Sequence, residues 1–161
     1  MRAERPRCMI ANMRQKLAEN GVFLLRISVS LLMLSHGVPK ALDYDTLVQS
    51  FPDPLNVGTE MSAMLIVFAE VGCSVLLLLG LFGRLAAASL FIAMMVAAFV
   101  QHFEDPWAMR ELPLLYAAVY ACLIFTGPGS VSIDGWFAKT VFETKEPVSP
   151  RQPRVEPGAP R

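Results

Sequence analysis

Charge is scarce in this chain. Asp, Glu, Lys and Arg together make up 17% of the 161 residues, and 14 basic residues balance 14 acidic ones. A net charge of zero gives no electrostatic footprint for nucleic acid, and no such partner is expected. Cysteine is also sparse. Cys8, Cys73 and Cys122 form no Cys-x-x-Cys pair, which argues against a dithiol oxidoreductase or a quinone-coupled disulfide former. Cys73 and Cys122 read as small apolar fillers. No flavin, haem or iron–sulfur motif occurs, so no intrinsic cofactor is expected, and no metal.

The chain is rich in apolar sequence instead. Hydrophobic residues account for 54% of it, and mean hydropathy is +0.46. Four long runs carry most of this, Val22–Leu42, Met61–Phe82, Leu85–Phe103 and Trp107–Thr126. Each is close to the ~20 residues that a helix needs to cross a ~30 Å hydrocarbon core. A soluble bundle would show polar faces at helical spacing, and these runs do not. Leu76, Leu77, Leu78, Leu79, Leu81 and Phe82 would coat every side of one helix. The expected fold is an all-α polytopic membrane protein, a bundle of four transmembrane helices.

The sparse charges are sorted by position. Arg2, Arg5, Arg7, Arg14 and Lys16 precede the first run, Arg84 lies between the second and third, and Lys139, Lys145, Arg151, Arg154 and Arg161 come after the fourth. Asp43, Asp45, Asp53 and Glu60 occupy the first connection, and Glu104, Asp105 and Glu111 lie in or beside the last. Lys/Arg excess marks cytoplasmic segments, so both termini are expected to be cytoplasmic. No cleavable signal peptide is expected, because the first run starts late and lacks a small-x-small cleavage pattern.

Residues 1–21 form a cytoplasmic N-terminal segment. Met9, Ile10, Met13 and Leu17 share a face there, as in a short helix lying on the anionic inner leaflet, and a frayed tail is the alternative. Residues 22–137 form the membrane domain. It closes on an interfacial stretch that holds Trp136 and Phe137 at headgroup level. Residues 138–161, with Pro147, Pro150, Pro153, Pro157 and Pro160, read as a disordered cytoplasmic tail.

Ionisable residues inside spans are costly and mark functional sites by default. The first span holds Arg26, Ser30, His36, Gly37 and Lys40. Arg26, Ser30, Gly37 and Lys40 fall within ~80° of one another at ~100° per residue, and His36 lies ~40° further round. Arg26, near the inner boundary, can snorkel to lipid headgroups. The second span contributes Glu70 alone. A ~1.5 Å rise per residue puts Glu70 ~18 Å and His36 ~21 Å from the inner ends, with Lys40 ~6 Å further out. His102 ends the third run, and Glu111 lies near the start of the fourth.

Depth therefore predicts that His36, Lys40, Glu70, His102 and Glu111 converge in the outer half of the bundle. In one reading, Glu70 pairs with Lys40 or Arg26 and only fixes helix packing. In the other, carboxylate and imidazole line a pocket for a polar headgroup or a proton. Gly80 and Gly83 are expected to end the second helix in a short turn. Pro39 is expected to bend or end the first.

Arg26 followed by Leu34-Ser35-His36-Gly37-Val38-Pro39-Lys40 resembles the first-helix motif of the DoxX family. Ala69-Glu70-Val71-Gly72 through Gly80-Leu81-Phe82-Gly83-Arg84 resembles that family's second helix and turn. Gly127-Pro128-Gly129-Ser130-Val131-Ser132-Ile133-Asp134 is similar to its closing signature, although Ser130-Val131 stands where Arg-Tyr is frequent. The three blocks occur in order across residues 22 to 137. The resemblance implies a small four-helix protein of the bacterial inner membrane. It carries over Arg26, His36, Gly37, Lys40, Glu70, Arg84 and Asp134 as family positions.

Some members of that family are membrane subunits of thiosulfate:quinone oxidoreductases. Others are linked to oxidative-stress complexes or to metal-linked peptide modification. The resemblance thus implies a membrane subunit of a quinone-linked redox or oxidative-stress system, with quinone as ligand and a soluble or membrane redox partner supplying electrons. A non-catalytic anchor or assembly factor for a partner enzyme is the second reading. A small-molecule carrier is the third, weakened by the lack of an inverted repeat or paired broken helices.

Overall fold

The computed structural model describes residues 6–129 and 131–136, with side-chain surroundings from Met9 onward. All regular structure among the described residues is helical. α1 runs Pro6–Leu42 and α2 is a short surface helix, Tyr44–Ser50. α3 covers Thr59–Leu79, α4 Gly83–Gln101 and α5 Trp107–Thr126. α1, α3, α4 and α5 are long and apolar enough to cross a membrane. The expected Pro-rich tail over 138–161 and Phe137 lie outside the described residues.

α1 packs chiefly on α3, and α4 and α5 form the most extensive pair. The buried core is built from Val29 and Met33 of α1, Cys73 and Leu77 of α3, Leu90 and Met94 of α4, and Tyr120 and Leu123 of α5. Ala86, Ala87 and Ala117 are also buried. Such small side chains let helix backbones approach closely where lipid offers no hydrophobic drive for association. The large apolar residues left on the outside, such as Leu24, Leu85, Ile92 and Phe125, face hydrocarbon. Cys73 is a buried filler as expected, whereas Cys122 is exposed on the lipid side.

Two expectations for α1 are revised. The N-terminal segment is not a separate short helix, because α1 is continuous from Pro6. Residues 9–21 are exposed apart from half-buried Glu19, and Met9, Ile10, Met13 and Leu17 retain their apolar face. Nor does Pro39 end the helix, which continues to Leu42 and closes with Asp43 N–H donating to the Pro39 carbonyl at 3.1 Å. A proline removes one backbone donor, here the one that would meet the Ser35 carbonyl, a loss that membrane helices accommodate through neighbouring groups and local adjustment.

At the basic end of the bundle the chain locks three spans together. Gly80 takes a left-handed conformation at φ 71°. Its N–H donates to the Leu77 carbonyl at 3.1 Å, and the Leu81 N–H donates to Leu76 at 2.9 Å. This is a Schellman closure, for which glycine is the favoured residue. The Asp134 carboxylate then accepts the N–H groups of Phe82 at 3.0 Å and Gly83 at 2.9 Å, at the start of α4. The Asp134 N–H donates to the Gly80 carbonyl at 3.0 Å.

Arg26 from α1 completes the lock. Its guanidinium donates to the carbonyls of Pro128 and Val131, and the residue is 2% exposed. It therefore does not snorkel to headgroups, because two backbone acceptors left open after α5 lie within its reach.

Asp134→Ala removes the carboxylate that caps α4. We expect a loss of about 1–2 kcal/mol, which thermal unfolding of the detergent-solubilised protein would read as a fall of about 2–6 °C. Gly80→Ala is expected to be worse. A Cβ there would lie 2.5 Å from the Ser132 Cβ, on a residue already at positive φ. Equal unfolding temperatures in all three proteins would show that the lock contributes nothing.

Candidate functional site

The polar centre lies at the acidic end, where α1 meets α3. The Lys40 ammonium bonds both Glu70 carboxylate oxygens, at 2.6 and 2.8 Å. The Glu70 side chain is almost wholly buried, while that of Lys40 keeps 34% exposure. The two helices approach this closely because residue 37 is glycine. A Cβ on Gly37 would lie 2.7 Å from the Glu70 Cβ and 2.9 Å from Val71 Cγ2. The Gly37 backbone therefore rests directly on the segment that carries the carboxylate.

That segment is not regular α-helix. Residues Phe68–Cys73 form a π-helical turn within α3, and Ala97–Gln101 form another at the end of α4. In the second, the His102 N–H donates to the Ala97 carbonyl at 3.0 Å. A π turn inserts one extra residue into a helix and rotates the residues beyond it, and such turns recur at functional sites. Here Glu70 lies within one π turn and His102 stands immediately after the other.

A cavity of about 500 Å³ opens between α3 and α4, and Lys40, Ser62, Glu70, Gln101 and His102 are charged and polar groups in the part of its lining towards the acidic end. Ile66, Ala69, Ala93 and Val96 form much of its apolar wall. A second cavity of about 290 Å³ shares Lys40, Glu70, Ala97 and His102 with the first and is also lined by His36, Met109, Leu112 and Tyr116. The ion pair thus stands between two spaces.

His102 Nδ1 contacts Asp105 Oδ2 at 2.6 Å, leaving Nε2 free of that bond. The His102 carbonyl accepts from Arg110 Nε at 2.6 Å, which ties the last connection down. The His36 ring meets Tyr116 edge-on at 6.1 Å, and Tyr116 stacks on Tyr120 at 6.2 Å. Phe51, Pro54 and Leu55 line the larger cavity at its acidic end. Their loop is held by Asp53, whose carboxylate accepts from Val57 N–H at 3.0 Å, Gly58 N–H at 2.7 Å and the Ser62 hydroxyl at 2.8 Å. These donors, the Ser62 hydroxyl foremost, hold the Asp53 carboxyl below the usual carboxylate range.

Of the six residues expected to form the site, Lys40, Glu70, His36 and His102 are brought together. Arg26 is not, because fourteen residues of helix separate it from Lys40 by ~21 Å along the axis. Glu111 reaches the right depth but the wrong face. Met109, Leu112, Pro113 and Tyr116 line the smaller cavity, a spacing of i, i+3, i+4 and i+7. Glu111 lies ~100° to one side of that stripe and is exposed. Tyr116 and its stripe were legible as a helical repeat and were missed. The π turns and the Asp53 loop carried no sequence signal.

The charge pair has an asymmetric prediction. Lys40→Met leaves Glu70 buried and unpaired, and we expect a loss of about 3 kcal/mol and low membrane abundance. Glu70→Gln leaves a lysine whose amine can extend to water, so abundance should stay near normal. Lys40→Met with Glu70→Leu should recover most of the loss. Equal damage from both single substitutions, read by thermal unfolding, would contradict this account.

The DoxX family model matches residues 21–103. An uncharacterized protein of Haemophilus influenzae is 33% identical over 122 residues, covering 71% of this chain and 89% of that protein. The inner membrane protein YphA of Escherichia coli is 29% identical over 122 residues, covering 70% of this chain and 87% of YphA. No solved structure matches. The match, the four apolar helices and the inner-membrane relative agree: the chain belongs to the DoxX family and is a multi-pass protein of the inner membrane.

Proposed function

We propose that this chain is a membrane subunit of a quinone-linked redox or oxidative-stress system, holding a quinone headgroup beside Lys40, Glu70 and His102. The observation that carries the reading is the composition of the larger cavity. Its walls are mainly apolar, and its charged atoms gather at one end. Its volume of about 500 Å³ lies within the ~300–1,000 Å³ usual for small-molecule sites.

The residues present fit such a group. Lys40 commits two N–H bonds to Glu70 and retains a third for a carbonyl oxygen. The Glu70 oxygens have lone pairs left for a hydroxyl, and His102 Nε2 can accept or donate a hydrogen bond. When bound, the quinone would supply the redox chemistry, and a partner protein would supply or remove the electrons. The chain's own part is to orient the headgroup and keep water from it. The excess of Lys and Arg around the termini and at Arg84 supports an orientation with that end in the cytoplasm.

A non-catalytic anchor is the second reading, favoured by the bonding of both Glu70 oxygens to Lys40 across the α1–α3 contact. Mass spectrometry of small molecules extracted from the protein in native-lipid nanodiscs separates the two. The quinone reading expects close to one quinone per chain, reduced about tenfold or more by Glu70→Gln at unchanged membrane abundance. Bulk lipid alone, identical in wild type and Glu70→Gln, would leave the ion pair as a helix-packing device.

A further inference from the structure

We propose that the larger cavity is loaded sideways from the bilayer, and that residues 51–58 form a latched lid shutting it to water. Its ligand is therefore a membrane-dissolved amphiphile, with its polar head at Lys40 and its chain leaving between α3 and α4. The inference deepens the reading of that site as a headgroup pocket and rests on it only for the identity of the head.

Three observations support it. The first concerns the side facing hydrocarbon. Leu65, Phe68 and Ile92 line the cavity and are also exposed on the outer surface of the bundle, at 45%, 59% and 62%. These three mark where the cavity reaches the lipid-facing surface, whereas Leu55 and Gln101, which also line it and are exposed, mark its rim at the acidic end. The lipid-facing opening sits between two membrane helices and is bordered by apolar side chains, so a hydrocarbon chain passes it without desolvating a polar group.

The second concerns the acidic end. There Phe51 and Pro54, both half-buried, and Leu55, 50% exposed at the rim, line the cavity and present apolar contact where an aqueous entrance would be. The segment is tethered at its start, where the Phe51 N–H donates to the Leu47 carbonyl at 2.7 Å. Its two flanking helices are tied to each other where the Tyr44 hydroxyl donates to the Glu60 carbonyl at 3.3 Å.

The third is the latch. Asp53 closes the segment on itself through the Val57 and Gly58 N–H groups and holds it to the first turn of α3 through the Ser62 hydroxyl. Bonds of this kind to a carboxylate are stronger than neutral ones. Asn56 and Gly58 adopt positive φ, at 51° and 100°, and no heavy atom lies within 4 Å of a Cβ position on Gly58. The latch thus closes a turn with free space around its glycine, and α2 and α3 are its fixed flanks.

The test uses the full chain in lipid nanodiscs, with Cys8, Cys73 and Cys122 replaced by alanine. A single cysteine is introduced inside the cavity as Ala93→Cys or, independently, Ser89→Cys. Each is reacted with a lipid-soluble aryl maleimide and with a membrane-impermeant sulfonated maleimide. The expected result is labelling by the lipid-soluble reagent and protection of about tenfold or more against the charged one. Asp53→Ala should raise the charged-reagent rate about tenfold while leaving the lipid-soluble rate within about twofold. Asp53→Asn should give a smaller rise and guards against loss of α3 in the alanine variant.

Equal rates for the two reagents with the lid intact would overturn the proposal. So would a charged-reagent rate indifferent to both Asp53 substitutions. No quinone is needed for either result. The expected labelling pattern without extracted quinone would refute the headgroup assignment and leave the lid and the lateral entrance standing.

Discussion

Hydrocarbon does not solvate charge, and α1 carries a cation towards each end of its membrane stretch. The two are satisfied in different ways, and the arrangement of the bundle depends on both. Lys40 bonds a carboxylate on the neighbouring helix, at Glu70. Arg26 bonds backbone carbonyls that the chain leaves open after its last span. With ~21 Å of helix between them, these anchors fix both the height of α1 and its rotation. The Gly37 contact then sets how near α3 can come. No comparable restraint comes from apolar packing alone, since lipid tails are as apolar as the leucines they touch.

Irregularity in the helices is concentrated where the cavities are. One π turn lies midway along α3 and the other at the acidic end of α4, in the two helices whose separation makes the larger cavity. The basic end is the reverse, with α3, α4 and the segment after α5 closed on one another by the Schellman turn and Asp134. A tight end and an open end are what a site on a rigid scaffold requires, because the closed end holds the helices in register while the open one accommodates a ligand. The ion pair belongs to both descriptions. It secures α1 to α3 and supplies the polar wall between the two cavities.

The path from sequence to site was uneven. The four spans were visible from length and hydropathy, because a bilayer demands ~20 apolar residues and few charges in each. Gly80 announced the end of α3, since a left-handed residue after a leucine run is most easily a glycine. The rarity of intramembrane charge left Glu70 to pair with Lys40 or Arg26, and the structure selects Lys40. Glu111 shows where that reasoning stopped. Its depth was right, but depth says nothing of azimuth, and the inward face of α5 runs through Met109, Leu112, Pro113 and Tyr116. Arg26 shows the complement, having the right face of α1 and the wrong height. Pro39 lost one backbone bond, and the helix nevertheless continues to Leu42.

By itself the sequence determined the solvent of this protein, the number of its spans and which residues had to leave hydrocarbon for a partner. Those are consequences of composition and of one-dimensional spacing, and the bilayer enforces them whatever the packing. Only the tertiary structure decided which partner each charge received, that Asp53 holds a loop beside the cavity and that the two π turns border the same cavity. These depend on how helices rotate and lean against one another. That arrangement arises from contacts such as Gly37 on Glu70 and Arg26 on the Pro128 carbonyl, between residues 33 and 102 positions apart in the chain.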